Sequence, residues 1–157
     1  MTSSYVIALG SNRRGCYGGP ADEVRAALGA IGGVVAVSPM MITAPIGPSS
    51  RRFVNAAAVI ASDEPPRDLL RRLKAIEADF GRRRGRRWGE RVIDLDIVLW
   101  SGGIWADDCL TIPHPSFRDR RFVLGPLAAL IPDWRDPMTG LTVRQLAARL
   151  TRRAPLA

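Results

Sequence analysis

Two carboxylates two residues apart, Asp94 and Asp96, stand inside the apolar run Ile93-Asp94-Leu95-Asp96-Ile97-Val98-Leu99, directly after a loop dense in arginine. Alternation along a strand sends Asp94 and Asp96 to one face and Ile93, Leu95, Ile97 and Leu99 to the other, so one strand offers both core and site. Two like charges on a half-buried sheet cost several kcal/mol in repulsion and lost solvation unless a cation lies between them. Magnesium suits the pair, because it takes one or two protein carboxylates and completes its octahedron with water and phosphate oxygens. The preceding Arg82-Arg83-Arg84-Gly85-Arg86-Arg87 agrees with a phosphate ligand, since a guanidinium presents a planar fork of donors and keeps its charge when partly dehydrated. Glycines at 81, 85 and 89 give residues 82–91 the hinge freedom of a cationic lid over a metal-bound triphosphate.

His114 is the only histidine and is held between prolines in Ile112-Pro113-His114-Pro115, which fixes its direction. It can donate to a phosphate oxygen. Gly10-Ser11-Asn12 follows a first apolar strand and reads as a turn. The chain has no GxxxxGK[ST] loop, so an ATP site here is not of the P-loop type.

The elements that must position these groups are legible from periodicity. Tyr5 to Leu9 is a short buried strand; Val24, Ala27, Leu28 and Ile31 recur at helical spacing, with Asp22 and Glu23 in the first turn and Gly32-Gly33 as the stop. Val34 to Thr43 reads as a second strand and Phe53 to Ala61 as a third. Leu69, Leu73, Ile76 and Phe80 form the stripe of a second helix, capped by Ser62 or Asp63, begun by Pro65 and Pro66 and ended by Gly81. After the aspartate strand come a Gly102-Gly103 turn, a helix near Phe122 to Leu130 and a last amphipathic helix from Thr142 to Leu150. The order predicts an α+β, ferredoxin-like layered fold: a mostly antiparallel sheet with helices packed on one face.

The 157 residues suit one domain, 1–157. A net charge of +8, carried almost wholly by arginine, calls for an anionic partner, either nucleic acid or a polyphosphate. Cys16 and Cys109 have no metal-ligand or redox spacing and fit a reducing compartment. Met1-Thr2-Ser3-Ser4 lacks the charged start and apolar stretch of a signal peptide, and no apolar run reaches membrane-spanning length, so the expectation is a cytoplasmic chain with no membrane partner.

These residues together resemble the hydroxymethyldihydropterin pyrophosphokinases, folate-pathway enzymes that move the terminal diphosphate of ATP onto the hydroxymethyl group of a reduced pterin. The resemblance runs in order through Ala8-Leu9-Gly10-Ser11-Asn12, Phe53-Val54-Asn55-Ala56-Ala57, Ile76-Glu77, Arg87-Trp88-Gly89-Glu90-Arg91, Asp94-Leu95-Asp96, Pro113-His114-Pro115 and Arg121-Phe122-Val123-Leu124-Gly125-Pro126-Leu127. It implies that Asp94 and Asp96 bind two Mg2+ ions and that Arg82, Arg91, His114 and Arg120 contact the phosphates or steady the transferred group. Arg83 or Arg84, of which Arg84 is preferred, supplies a further cation. The resemblance gives Asn55 the pterin edge and Phe53 and Phe122 the pocket walls. Thr43, Pro45 and Ile46 belong to the loop that closes the pocket, and Trp88 is the lid aromatic. Leu70, Lys74, Glu77, Ile97, Leu110 and Thr111 correspond to the adenosine site, with Glu77 on a ribose hydroxyl. Lys74, Cys109 and Pro115 depart from the residue types frequent at their positions, which touches nucleotide contacts more than chemistry. The partners implied are ATP as co-substrate and 6-hydroxymethyl-7,8-dihydropterin, acting on a monomer.

Two rival readings are weaker. A nucleotidyltransferase keeps its Gly-Ser and paired-aspartate elements close together, whereas Gly10-Ser11 and Asp94-Leu95-Asp96 lie far apart in this chain. A basic nucleic-acid-binding module lacks support from any recognised motif or stacking aromatics, and the paired aspartates would repel a phosphate backbone.

Overall fold

The computed structural model of the chain describes residues 1–43, 52–82 and 92–153. In chain order the strands are β1 (Ser3–Ser11), β2 (Val34–Val37), β3 (Met41–Thr43), β4 (Phe53–Ser62), β5 (Asp94–Trp100), β6 (Trp105–Ala106) and β7 (Thr111–Ile112). The helices are α1 (Pro20–Ile31), α2 (Pro66–Arg82), α3 (Arg121–Leu130) and α4 (Val143–Arg153), with one 3-10 turn at Phe117–Asp119. The main sheet has the order β2-β4-β1-β5, with β3 also pairing β4, and each of these pairings is antiparallel. That is the ferredoxin-like order with its second strand in two pieces.

The break in that strand has a local cause. Ser38 keeps the register by donating its N–H to Ala57 O at 2.8 Å, but its hydroxyl, not a carbonyl, accepts from Ala57 N–H at 2.9 Å. Pro39, next in line, has no N–H to give. Helix α2 also departs from expectation at both ends. The Ser62 hydroxyl accepts from Glu64 N–H, and the Pro65 carbonyl takes the first helical N–H groups, from Asp68 and Leu69. The helix then continues through Gly81 to Arg82.

Helices cover both faces of the sheet, not one. Tyr5, Ile7 and Leu9 alternate toward a core with Val24, Ala27 and Ile31 of α1 and Leu69, Leu73 and Phe80 of α2. Val6, on the opposite face, joins Ala57, Phe117, Leu124 and Leu127 of α3, and Val143 and Leu146 of α4. Strands buried on both faces carry continuous apolar runs, as Tyr5 to Leu9 does. A β-bulge sits in β5: Ile7 opposes Ile97 while Val6 opposes Leu99, leaving Val98 as the extra residue. Ile93, Leu95 and Ile97 therefore fill the α1/α2 core as expected, but Leu99 falls with Val98 in the α3/α4 core.

Strand β5 lies at the edge of the sheet, and its outer backbone groups are met by side chains and by the segment after β7. Leu95 N–H donates to Glu77 Oε2 of α2 at 2.7 Å, and His114 N–H donates to Val98 O at 3.0 Å. The second core is tied down by a buried ion pair. Asp136, with no exposed surface, accepts from Arg118 Nε at 2.6 Å and Nη2 at 2.8 Å, and from Met138 N–H and the Thr139 hydroxyl.

Asp136→Ala leaves Arg118 without its counter-charge beneath α4, and chemical denaturation is expected to show a loss of about 3 kcal/mol. Arg144→Ala, which breaks the largely exposed pair with Asp133, serves as the matched control and leaves the denaturation midpoint in place.

Candidate active site

Among the described residues, the sheet face that carries α3 is uncovered at one end, and small residues make the floor there. Gly10 lies in register between Asn55 of β4 and Asp94 of β5, and Ala8 lies between Ala57 and Asp96. Residues opposed in this way share a face, so Asn55, Asp94 and Asp96 rise around a shallow floor of glycine and alanine. Gly10 is thus part of β1 and not a turn residue. Its missing side chain has a steric reason, because a Cβ there would stand 2.9 Å from Asn55 Oδ1.

The N-terminal end of α3 closes the other side. Arg120, at the N-cap position, and Phe122 reach over this floor, and with Phe53, Asn55, Asp94 and Asp96 they line a cavity of about 370 Å3. Arg120 stands 5.8 Å from the centre of the Phe122 ring, and that ring is 42% exposed, a large aromatic face left open at the cavity. Asn55 is 7% exposed, and its amide offers both donors and an acceptor to a flat polar edge. Asp94 is exposed and Asp96 half-buried. The cavity therefore joins two carboxylates, a guanidinium, an amide and aromatic surface, a set that can bind a flat heterocycle beside a charged centre. Thr43 stands next to it, paired with Phe53.

His114 approaches from the edge of β5. Its Nδ1 accepts from Ser116 N–H at 3.1 Å, which leaves Nε2 to carry the proton of the neutral ring. Burial lowers its pKa from the ordinary value; Asp96 pulls the other way, and Arg120 and Lys74 add to the lowering. The imidazole thus stands within the electrostatic reach of Asp96 and Arg120 as a neutral donor.

The other residues expected at a nucleotide lie around this same edge, outside the cavity. Leu70, Lys74 and Glu77 are on α2, Leu110 precedes β7 and Thr111 begins it. Glu77 and Lys74 have contacts that sequence reading did not anticipate. The Glu77 side chain is 7% exposed, and its carboxylate holds both Leu95 N–H and Lys74 Nζ, the latter at 3.0 Å. The Ile97 side chain is 2% exposed in the α1/α2 core, which leaves little but backbone for a ligand. The Leu110 and Cys109 N–H groups both donate to Asp107 Oδ1, which shapes the turn before Thr111. Pro45, Ile46, Arg83, Arg84, Trp88 and Arg91 lie outside the described residues, and of Arg82 only the backbone, at the end of α2, is described. Sequence reasoning missed Ala8 as floor and Ser116 as the group that sets the histidine tautomer. Ala8 could have been found, since it shares a face with Gly10.

The model of the family 7,8-dihydro-6-hydroxymethylpterin-pyrophosphokinase (HPPK) matches residues 6–132. Among curated proteins the chain is similar to the 2-amino-4-hydroxy-6-hydroxymethyldihydropteridine pyrophosphokinase of Pseudomonas aeruginosa, 42% identical over 143 residues, covering 87% of this chain and 86% of that protein. It is also similar to the protein of the same name from Methylorubrum extorquens, 40% identical over 154 residues, covering 96% and 94%. Among solved structures it is similar in fold to a triple mutant of Plasmodium falciparum HPPK-DHPS, with a TM-score of 0.75 and 17% identity. That match covers 98% of this chain and 45% of the Plasmodium chain, so the chain spans less than half of that longer protein.

Two measurements check the site geometry. Gly10→Ala pushes the Asn55 amide off its position, and binding of a flat ligand read by that amide is expected to weaken about fivefold to tenfold, with the circular dichroism spectrum unchanged. The His114 ring, followed by NMR against pH, is expected to titrate below the ordinary 6.5 with the proton on Nε2. Since the folded value lies below the unfolded one, the unfolded chain takes the proton first, so this group withdraws stability as pH falls from about 6.5 to the folded pKa. A midpoint at or above 6.5 would contradict the burial argument.

Proposed function

The chain belongs to the 7,8-dihydro-6-hydroxymethylpterin-pyrophosphokinase family, and we propose that it carries out that family's reaction with the cavity between β1, β4, β5 and α3 as the catalytic site. It is an ATP-dependent diphosphokinase of folate biosynthesis: the hydroxymethyl oxygen of the reduced pterin attacks the β-phosphorus of ATP, the bond from that phosphorus to the α-phosphate oxygen breaks, and AMP and the pterin diphosphate leave. The observation that carries this reading is the single cavity in which Asp94 and Asp96 face Asn55, Phe53 and Phe122. A carboxylate pair alone suits many metal reactions; the adjoining amide and aromatic wall specify a flat, hydrogen-bonding nucleophile.

Magnesium fits the donor set. Among the described residues no group of three or more His, Cys, Asp or Glu forms a metal cage, and a site built on two carboxylates leaves the remaining positions to water and phosphate, as magnesium prefers. Asp94 and Asp96 would hold two ions, whose chemistry is to neutralise phosphate charge and orient its oxygens. The chain's own residues do the rest by positioning and electrostatics, which supply most of the rate in phosphoryl transfer. Asn55 and the two phenylalanines fix the pterin plane. Asp94, the more exposed carboxylate, orients the attacking hydroxyl, whose proton passes to Asp94 or to water as the new O–P bond forms. His114 donates Nε2–H, and Arg120 its guanidinium, to phosphate oxygens. In this reading Arg82 and Arg91 hold the transferred diphosphate, Arg84 and Trp88 act on the nucleotide, and Thr43, Pro45 and Ile46 belong to the pterin side; the family resemblance supports these roles. Leu70, Lys74, Ile97, Leu110 and Thr111 bound the adenosine on the outer side of β5, where Glu77 shares its carboxylate between the strand and a ribose hydroxyl. The same reading takes residues 1–157 as one domain working as a cytoplasmic monomer.

The test is an assay with ATP, magnesium and 6-hydroxymethyl-7,8-dihydropterin that separates AMP from ADP. Pterin-dependent AMP is expected, and Asp96→Ala is expected to lower turnover by at least about a hundredfold with its thermal midpoint unchanged. ADP as the nucleotide product would overturn diphosphoryl transfer, and retained turnover in the variant at saturating magnesium would overturn the two-ion assignment.

A further inference from the structure

A second cavity, of about 240 Å3, lies on the far side of the segment that carries His114 and Arg120. Pro115, Arg118 and Asp119 wall this cavity, while Arg120, next in the chain, turns into the first one. One turn of 3-10 helix therefore separates two cavities.

The charge of the second cavity is not balanced. Arg118 is neutralised by Asp136, to which it gives Nε and Nη2. Arg149 and Arg153 stand one turn apart on α4 and both line the cavity. Like charges at that spacing repel and destabilise the helix slightly. The last turn of a helix tolerates cations, which alone would account for Arg153 on the surface. It does not account for two arginines converging on a concavity, when Arg144 of the same helix pairs with Asp133 at 3.2 Å and, among the described residues, neither Arg149 nor Arg153 has a carboxylate within ion-pair distance. Asp119, on the rim, offsets one of the two charges, so the cavity keeps about one net positive charge. Its remaining wall is apolar at Leu146, Leu150 and Pro115, with Thr139, whose hydroxyl is given to Asp136, as the one further polar residue.

We propose that this cavity binds a small organic oxyanion, a carboxylate or phosphate monoester on an apolar body of about one ring, with Arg149 and Arg153 on the acid group and Leu146 and Leu150 against the body. A volume below that of ordinary drug-sized pockets limits the body, and the single net charge disfavours a polyphosphate. Guanidinium forks recognise carboxylate and phosphate alike, and so do not choose between them.

The experiment uses the full chain with its catalytic cavity filled by magnesium, a non-hydrolysable ATP analogue and the pterin, so that probes cannot enter there. Benzoate, phenyl phosphate and inorganic phosphate are titrated in turn while amide NMR signals are followed. Either organic probe is expected to shift the signals of residues 116–119 and 146–153 saturably. Arg149→Ala combined with Arg153→Ala is expected to weaken that binding about tenfold or more. Benzoate and phenyl phosphate together establish the shared site, and whichever binds tighter identifies the acid group. No saturable shift with either organic probe, or equal affinity in the double variant, overturns the proposal. Inorganic phosphate binding as tightly as phenyl phosphate overturns the apolar half of it. Should the double variant lose thermal stability, Arg149→Gln with Arg153→Gln keeps the helix and repeats the measurement.

Discussion

The hydrogen bond from Leu95 N–H to Glu77 holds the rest of the site in place. Among the described residues strand β5 is paired on one side only, and a strand edge presents backbone groups that must find partners or water. Leu95 lies between the two aspartates, so whatever fixes its peptide fixes the direction of both carboxylates. Glu77 does this from a helix, and His114 N–H does the same one bulge further on, at Val98 O. Two residues expected only to touch a ligand are thus also fasteners of the strand. The residues expected at the nucleotide and those expected at the pterin fall on different sides of β5, and the edge between them is covered by Glu77 and His114.

The sheet's other constraint is the absence of bulk. Gly10 and Ala8, on the central strand, lower the floor between β4 and β5, while Tyr5, Ile7 and Leu9 on the opposite face fill a dense core. A strand can do both because its side chains alternate, and the cavity forms where α3 stops covering the α3/α4 face. Phe122 remains half open there, which costs hydrophobic burial that a flat ligand laid on the ring would offset.

The fold was legible where local pattern decides it. The α1 and α2 stripes, the order of the elements and the aspartate face follow from periodicity alone. What escaped is non-local. Leu99 changes sides because of a bulge whose cause is the pairing with β1, and no single strand's alternation records it. Helices on both faces were foreshadowed by the unbroken apolar run Tyr5 to Leu9, but a short apolar run reads equally as one strand of a half-covered sheet. Val34 to Thr43 broke at Ser38 because a hydroxyl substituted for a backbone acceptor, a choice that depends on Ala57 lying opposite. Of the site, Asp94, Asp96 and His114 were readable from type and spacing, and Asn55, Phe53, Phe122, Arg120 and Glu77 only through the family resemblance, whereas the groups that orient them, Ser116 for His114 and Leu95 for Glu77, act through backbone atoms that every residue possesses.

The neutral state of His114 follows from the same arrangement and bears on how the site handles charge. Burial, Arg120 and Lys74 together outweigh the attraction of Asp96, so the ring donates a proton without adding a positive charge of its own. The free site thus avoids a buried cation beside Arg120. A permanently charged residue at the same position would hold its charge there and would have to be compensated. Histidine at position 114, tied by Nδ1 to Ser116 N–H, offers its Nε2–H as a donor without that cost.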